Sequence, residues 1–321
     1  MRVVFMGSPE FALPALRRLI ESEHEVAGVV TQPDRPAGRG RVLKPPPAKE
    51  LALEHGLPVL QPERVNALEA LAEVRALAPD ALIIAAYGQI LKQPLLDIPK
   101  RGALNVHASL LPKYRGAAPA AGAILAGEGE TGVTILEVVL ALDAGPIVAQ
   151  RPLLIEPQDT TGTLNETLSV LGAELLIDVL PAWERGDLTP QPQDDTQATY
   201  ARSIHRGDAV IDWALPAVDV WRRVRAYNPW PVATTTVDEE PLRILEAWPL
   251  DDEPDAPRGT IVTLLAGATG AAGAPASTGF AVRCGRGTLG IMRAQRAGRR
   301  AMTGEELLRG LPGLLNKRLG T

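Results

Sequence analysis

Asn105, His107 and Asp143 are the residues whose types and order could do chemistry in this 321-residue chain. They lie in one stretch, NVHASLLPKYRGAAPAAGAILAGEGETGVTILEVVLALD, residues 105 to 143. Asn105 and His107 alternate at the end of one apolar run, and Asp143 closes a second, directly before Ala144-Gly145. An amide donor, a titratable imidazole and a carboxylate suit acyl transfer from an activated donor. The aspartate would orient the imidazole and raise its pKa. The asparagine would donate to an oxygen that gains negative charge. Cys284 is isolated and no GxSxG elbow occurs, so direct attack by a substrate amine fits better than an acyl-enzyme. Each residue also has a plain structural role open to it. A lone histidine after a buried strand is often a satisfied core group, and Asp143 can simply form a turn. His24, His55 and His205 have no polar constellation around them. No HxxxH or clustered-carboxylate spacing accompanies His107, so no metal is expected.

The elements that must position these residues follow from periodicity. Arg2–Met6 reads as a buried strand ended by Gly7-Ser8-Pro9, and Phe11–Ile20 as an amphipathic helix. That first turn lacks GxGxxG and is poor ground for a dinucleotide site. Val26–Thr31, Pro58–Leu60, Ala81–Ala86, Ala103–His107, Thr131–Val139 and Ile147–Leu154 read as further strands. Helices are expected at Ala48–His55, Val65–Leu77 and Leu164–Glu184. The alternation predicts an α/β, doubly wound, Rossmann-like and mostly parallel sheet with ligands at the carboxyl ends of its strands. Tyr87-Gly88 and Asn105–His107 sit at such ends. Residues 31–49, TQPDRPAGRGRVLKPPPAK, are too rich in proline and glycine for a regular element and read as a long functional loop. Arg35, Arg39, Arg41 and Lys44 make it a candidate phosphate-binding arm, with a solvated loop as the alternative.

The polar segment LTPQPQDDTQATY, beginning at Leu188, has linker composition. Beyond it, several short strands with Gly/Pro turns follow one helix at Ala217–Tyr227 and suggest a small β-barrel. The expected layout is a catalytic domain at 1–188, a linker at 189–207 and a smaller C-terminal, OB-like barrel at 208–321. Residues 266–279 read as a flexible hairpin insertion without chemistry.

Hydrophobic content of 45% and charged content of 22% place the chain among globular proteins that fold in water. One cysteine excludes an intrachain disulfide, and no run of about 18 apolar residues predicts a membrane span. A cytoplasmic location is expected. The net charge is −5, but residues 256–321 carry ten Lys/Arg against Glu305 and Glu306. That tail is strongly basic and the body strongly acidic, as in a protein that holds an anionic polymer by one end.

These motifs together resemble the methionyl-tRNA formyltransferase family over nearly the whole chain. AYGQIL, NVHASLLPKYRGAAP, ETGVTI and LDAGPI resemble the folate-dependent formyltransferase core. FMGSPEFA, TQPDRPAGRG, IDW, RAYNPWP and AGRRAM are similar to the branch acting on tRNA. The resemblance implies formyl transfer from 10-formyltetrahydrofolate to the α-amino group of methionine on initiator methionyl-tRNA, without a metal. It implies Asn105, His107 and Asp143 as catalytic residues. Ser109, Leu110, Leu111 and Pro112, with Tyr87 and Gly88, are implied as the folate-binding segment. Arg35, Arg39, Arg41, Lys44, Arg299 and Arg300 are implied as tRNA contacts, on a monomer. Local departures occur at Leu136–Ala141, at Ala144 and Pro146 around Gly145, and at Arg296. A formyltransferase for a small amine, or a non-catalytic RNA-binding protein, remains as a competing expectation.

Overall fold

The computed structural model describes residues 1–37, 42–263, 279–311 and 313–320. Arg39, Arg41 and nearly all of the expected 266–279 insertion lie outside them. The chain forms two compact units. The first comprises Met1–Pro119, Glu130–Leu154 and Asn165–Ala201; the second comprises Ala120–Gly129, Ile155–Leu164 and Arg202–Thr321. Residues 189–201, with linker composition, therefore belong to the first unit.

The strands of the first unit are β1 (Arg2–Gly7), β2 (Glu25–Val30), β3 (Arg35–Ala37), β4 (Val42–Lys44), β5 (Val59–Leu60), β6 (Ala81–Ala85), β7 (Ala103–His107), β8 (Arg115–Gly116), β9 (Glu130–Glu137), β10 (Ile147–Leu154) and β11 (Tyr200–Ala201). Its main sheet has the order β10-β9-β7-β6-β1-β2-β5. The five strands from β5 to β7 are parallel. Their apolar runs are continuous because both faces are covered: Val3, Val4, Phe5 and Met6 are all fully buried. β9 pairs antiparallel with both β7 and β10. Only Val138–Pro146 joins β9 to β10, too short a stretch for the crossover that a parallel pair requires.

The strand order reverses at β1 and β6, the point where such sheets open a ligand crevice. There the Ser8 hydroxyl accepts from the Thr31 hydroxyl at 3.1 Å and from the Gln32 amide at 3.0 Å. The Gln32 side chain donates to the Tyr87 carbonyl at 3.0 Å. Three strand ends are thereby tied together.

Residues 31–49 depart from the irregular loop expected of their composition. β3 and β4 form a short antiparallel hairpin, Arg35 opposite Lys44 and Pro36 opposite Leu43, and a helix already begins at Pro47. Pro36 is compatible with this two-stranded ladder because both of its strands are edges.

In the second unit, β12 (Thr234–Val237), β13 (Glu240–Leu250), β14 (Ile261–Val262), β15 (Phe280–Arg283), β16 (Thr288–Arg296) and β17 (Ala301–Thr303) form a six-stranded sheet. All its ladders are antiparallel, and it curls as a half-barrel around Leu242, Ile244, Phe280, Leu289 and Ile291. The helix Ala217–Ala226 closes this core through Val220 and Val224. A reciprocal cap between Thr303 and Glu306 starts the last helix.

One buried hydroxyl links the main sheet to the turn after β7. Thr134, opposite His107 in the β7–β9 register, is fully buried. Its hydroxyl donates to the Ser109 carbonyl at 2.6 Å and accepts from the Leu111 amide at 3.1 Å and the Gln150 side chain at 2.9 Å. Thr134→Val keeps the shape, strands the Ser109 carbonyl and the Leu111 amide, and leaves Gln150 with the Leu111 carbonyl at 2.9 Å. It should lower stability by about 1–3 kcal/mol, read as a drop in the denaturation midpoint. An unchanged midpoint would remove this hydroxyl from the account of the turn.

Candidate active site

β7 alternates its side chains, and the alternation sends Asn105 and His107 to the same face of the sheet. Asp143 reaches them from the β9–β10 connection. Its backbone is left-handed, with φ +49°, a conformation that aspartate tolerates better than most residues. The three side chains expected from sequence to work together are thus adjacent. Asn105 Nδ2 lies 3.5 Å from Asp143 Oδ1, a long contact, and His107 Nδ1 lies 3.7 Å from Asp143 Oδ2. His107 Nε2 is 3.0 Å from the Tyr114 carbonyl. A carbonyl can only accept, so Nε2 carries the hydrogen in the neutral ring and Nδ1 faces the carboxylate with a lone pair.

Burial lowers the His107 pKa below its ordinary value, against the raising effects of Asp143 and of the Tyr114 hydrogen bond. The increase expected from the aspartate alone is therefore overturned. His107 is only 5% exposed, and the loss of hydration outweighs one carboxylate at 3.7 Å. The resting imidazole is neutral at pH 7.

Asp143 is held mostly through backbone atoms. The Gly116 amide donates to Oδ2 at 2.8 Å. Gln193 Nε2 donates to the Asp143 carbonyl at 2.8 Å and to the Gly145 carbonyl at 2.7 Å. Gln193 Oε1 in turn accepts from Arg115 Nε at 3.1 Å and Nη2 at 2.8 Å, and Nη2 also meets Asp195 at 2.7 Å. The segment carrying Gln193 is anchored on both sides. Gln191 exchanges backbone hydrogen bonds with Ile147, and β11 pairs with β8. At Gly145 a Cβ would stand 1.7 Å from the Glu137 carbonyl, so this approach requires glycine. Gln193 and its partner Arg115 escaped the sequence-level site assignment. Only tertiary pairing distinguishes the Gln193 segment from a linker.

The segment expected to bind folate is a rigid wall. Ser109 is buried and its hydroxyl donates to the Lys113 carbonyl at 2.6 Å. Leu111 is also buried, whereas Leu110 and Pro112 are half-buried. The Tyr87 ring packs in the core, and its hydroxyl finds no partner among the described residues. Gly88 is exposed with φ +88°, and a Cβ there would meet only Gln32 at 3.7 Å. Arg35 is exposed and pairs with Glu63 at 3.0 Å, Lys44 is exposed on β4, and Arg300 pairs with Glu306 at 2.9 Å beside the exposed Arg299. No group of His, Cys, Asp and Glu among the described residues could hold a metal ion. No described helix is long and apolar enough to cross a membrane.

Residues 1–180 match the formyl transferase family model, and residues 203–312 match the formyl transferase C-terminal domain. A methionyl-tRNA formyltransferase of Methylococcus capsulatus is 48% identical over 321 residues, the full length of both chains. That of Bacillus subtilis is 46% identical, covering 96% of this chain and 94% of its own. This chain belongs to the methionyl-tRNA formyltransferase family. Its reaction is the transfer of a formyl group to methionyl-tRNA. The fold is shared with more distant solved structures. HypX from Aquifex aeolicus in complex with tetrahydrofolic acid aligns with TM-score 0.63 at 20% identity, over 98% of this chain and 48% of its own. A sugar 3N-formyl transferase, WlaRD, aligns with TM-score 0.65 at 16% identity, over 94% and 99%.

The direction of the His107 shift gives a test independent of turnover. In NMR the His107 imidazole should titrate below 6.5, its ordinary value, and Asp143→Asn should move the midpoint lower still. The unfolded chain then takes up this proton first, so the contribution of His107 to stability is lost as pH falls below about 6.5. A midpoint above 6.5 would reverse the balance between burial and the carboxylate.

Proposed function

We propose that Asn105, His107 and Asp143 carry out the formyl transfer, with 10-formyltetrahydrofolate as the donor and the methionine α-amino group of initiator methionyl-tRNA as the acceptor. The observation that carries this reading is the orientation of His107. The Tyr114 carbonyl holds Nε2, which leaves Nδ1 as a base beside Asp143. The donor supplies a formyl group already activated for transfer. The residues of the chain then have to place the amine, accept its proton and stabilise charge.

The neutral α-amine forms the new C–N bond, and the bond from carbon to the donor nitrogen breaks. His107 Nδ1 takes the proton released by the amine and returns it to the departing nitrogen. Protonated His107 is stabilised by the Asp143 carboxylate at 3.7 Å. Asn105 spends one amide hydrogen on the long contact with Asp143 and keeps the other for the formyl oxygen as it gains charge. The strand ends at Gly88 and at 109–112 would hold the donor. Open space beyond Gly88 and an internally bonded wall at Ser109–Pro112 fit a flat ligand held by shape.

The hairpin β3–β4 serves as the tRNA-contacting arm. Val42 and Leu43 are 72% and 64% exposed beside Lys44, more apolar surface than a solvated loop presents. Arg35 and Arg300 already face carboxylates, so Lys44 and Arg299 are the better placed of the described cations for phosphate. Arg39 and Arg41 belong to the same arm by sequence.

Two measurements test these roles. Purified protein with 10-formyltetrahydrofolate should formylate charged initiator tRNA and leave uncharged tRNA untouched. His107→Ala should lower kcat by about 10²- to 10⁴-fold with tRNA affinity nearly intact; retained turnover would take His107 out of the chemistry. For the arm, Lys44→Ala should weaken tRNA binding and reduce the slope of log affinity against log salt by about one. A slope equal to that of the unaltered protein would exclude a phosphate contact at Lys44.

A further inference from the structure

Both nitrogens of the His107 ring face groups that are held in turn by one segment, residues 191–201. Nε2 meets the Tyr114 carbonyl, and Nδ1 faces Asp143. The Tyr114 amide donates to the Thr199 hydroxyl at 2.9 Å, and the Arg115 amide donates to the Thr199 carbonyl at 2.9 Å. Tyr114 has a left-handed backbone, φ +59°, so no regular element directs its carbonyl and these bonds do. On the other side of the ring, Gln193 donates to the carbonyls of Asp143 and Gly145. The Gly116 amide that holds the Asp143 carboxylate lies on β8, which pairs with β11 of the same segment. Gln191 and Ile147 exchange hydrogen bonds of 2.7 and 2.8 Å, which fix the segment to the start of β10. It lies between the two matched family regions, 1–180 and 203–312.

The chemistry of Gln193 says what the segment is for. Its Oε1 faces Arg115 nitrogens, which only donate, and its Nε2 faces two carbonyls, which only accept. Attachment to Arg115 alone does not call for an amide, since a carboxylate of the same length would bind a guanidinium more strongly. That carboxylate would also repel both carbonyls. The donor half of the amide is therefore spent on the Asp143 turn, the part that sets the carboxylate 3.7 Å from His107 Nδ1.

We propose that residues 191–201 brace the reacting imidazole from both sides, with Gln193 a positioning residue for Asp143. This role rests on the reading of His107 as the base. It carries the working part of the first unit past residue 188, into chain with the composition of a linker.

Two substitutions in the full-length protein separate positioning from attachment. Gln193→Glu keeps the acceptor for Arg115 and turns a carboxylate oxygen toward the Asp143 and Gly145 carbonyls. Gln193→Met keeps the length and gives up both partners. A residue that only attached the segment would tolerate glutamate. The brace requires both variants to lower kcat by about 10- to 100-fold, with KM for methionyl-tRNA changed less than about twofold. The denaturation midpoint of Gln193→Glu should stay close to that of the unaltered protein. In NMR, Gln193→Met should move the His107 midpoint in the same direction as Asp143→Asn and by less, because the carboxylate remains but is no longer held. Full kcat in Gln193→Glu, a rise in KM with kcat retained, an unmoved His107 midpoint, or loss of folding in both variants would overturn the assignment. The NMR arm reads the placement of Asp143 whether or not His107 is the base, and His107→Ala reads the base alone, so the two can fail independently.

Discussion

The site depends on two opposing effects at one imidazole. Removing His107 from water disfavours its charged form, and Asp143 at 3.7 Å favours it. Burial wins at rest, so the ring is neutral and can accept a proton. The same dry surroundings strengthen the attraction between imidazolium and carboxylate once the proton arrives. The separation matters as much as the burial. At ordinary hydrogen-bond length, Asp143 would favour a hydrogen on Nδ1 and remove the base. At 3.7 Å it provides charge without fixing that tautomer, while the Tyr114 carbonyl fixes the other nitrogen.

Holding a carboxylate near a base but out of hydrogen-bond contact is a demand on the backbone. Asp143 meets it in a left-handed turn whose position is set from several directions. The Gly116 amide holds Oδ2, and Gln193 bridges the carbonyls on both sides of Ala144. Gly145 lets the turn approach the edge of β9 closer than any side chain would permit. Arg115, 3% exposed, then locks Gln193 to Asp195. A hydrogen-bonded chain of side chains thus runs from Asp195 through Arg115 and Gln193 to the backbone of the Asp143 turn. In such a chain each bond orients the next, so the position of the carboxylate becomes a property of the network.

The parts legible in sequence are those in which a local pattern coincides with its tertiary use. Continuous apolar runs announced the buried parallel strands. Alternation along 103–107 announced a shared face for Asn105 and His107, and the residues before Gly145 announced a turn. Gln193 was illegible because its segment has the proline-bearing polar composition of a linker. Its partners lie 48 and 50 residues away at Gly145 and Asp143, and only the fold brings them together. The direction of the His107 shift was illegible for a related reason. A sequence names the charged neighbour, but the depth of burial that outweighs it exists only after packing. The β3–β4 hairpin was obscured by its prolines and glycines, whose usual meaning is irregular backbone, although a two-stranded ladder made only of edges tolerates them.

The same accounting separates finished parts of the molecule from receptive ones. Around the β7 turn the buried polar groups are satisfied internally: Thr134 meets three partners, Ser109 meets Lys113, and Gln150 reaches both Leu111 and Thr134. Such a wall gains nothing in hydrogen bonds from a ligand and selects mainly by shape. The Trp248 indole is the opposite case, a buried donor whose acceptor is missing from the described chain. Leaving it unmet costs stability on the scale of a whole hydrogen bond, and the surrounding packing has to offset that cost. The wall at Ser109–Pro112 therefore completes its own polar network, whereas Tyr87 in the first unit and Trp248 in the second each keep a buried polar atom without a partner among the described residues.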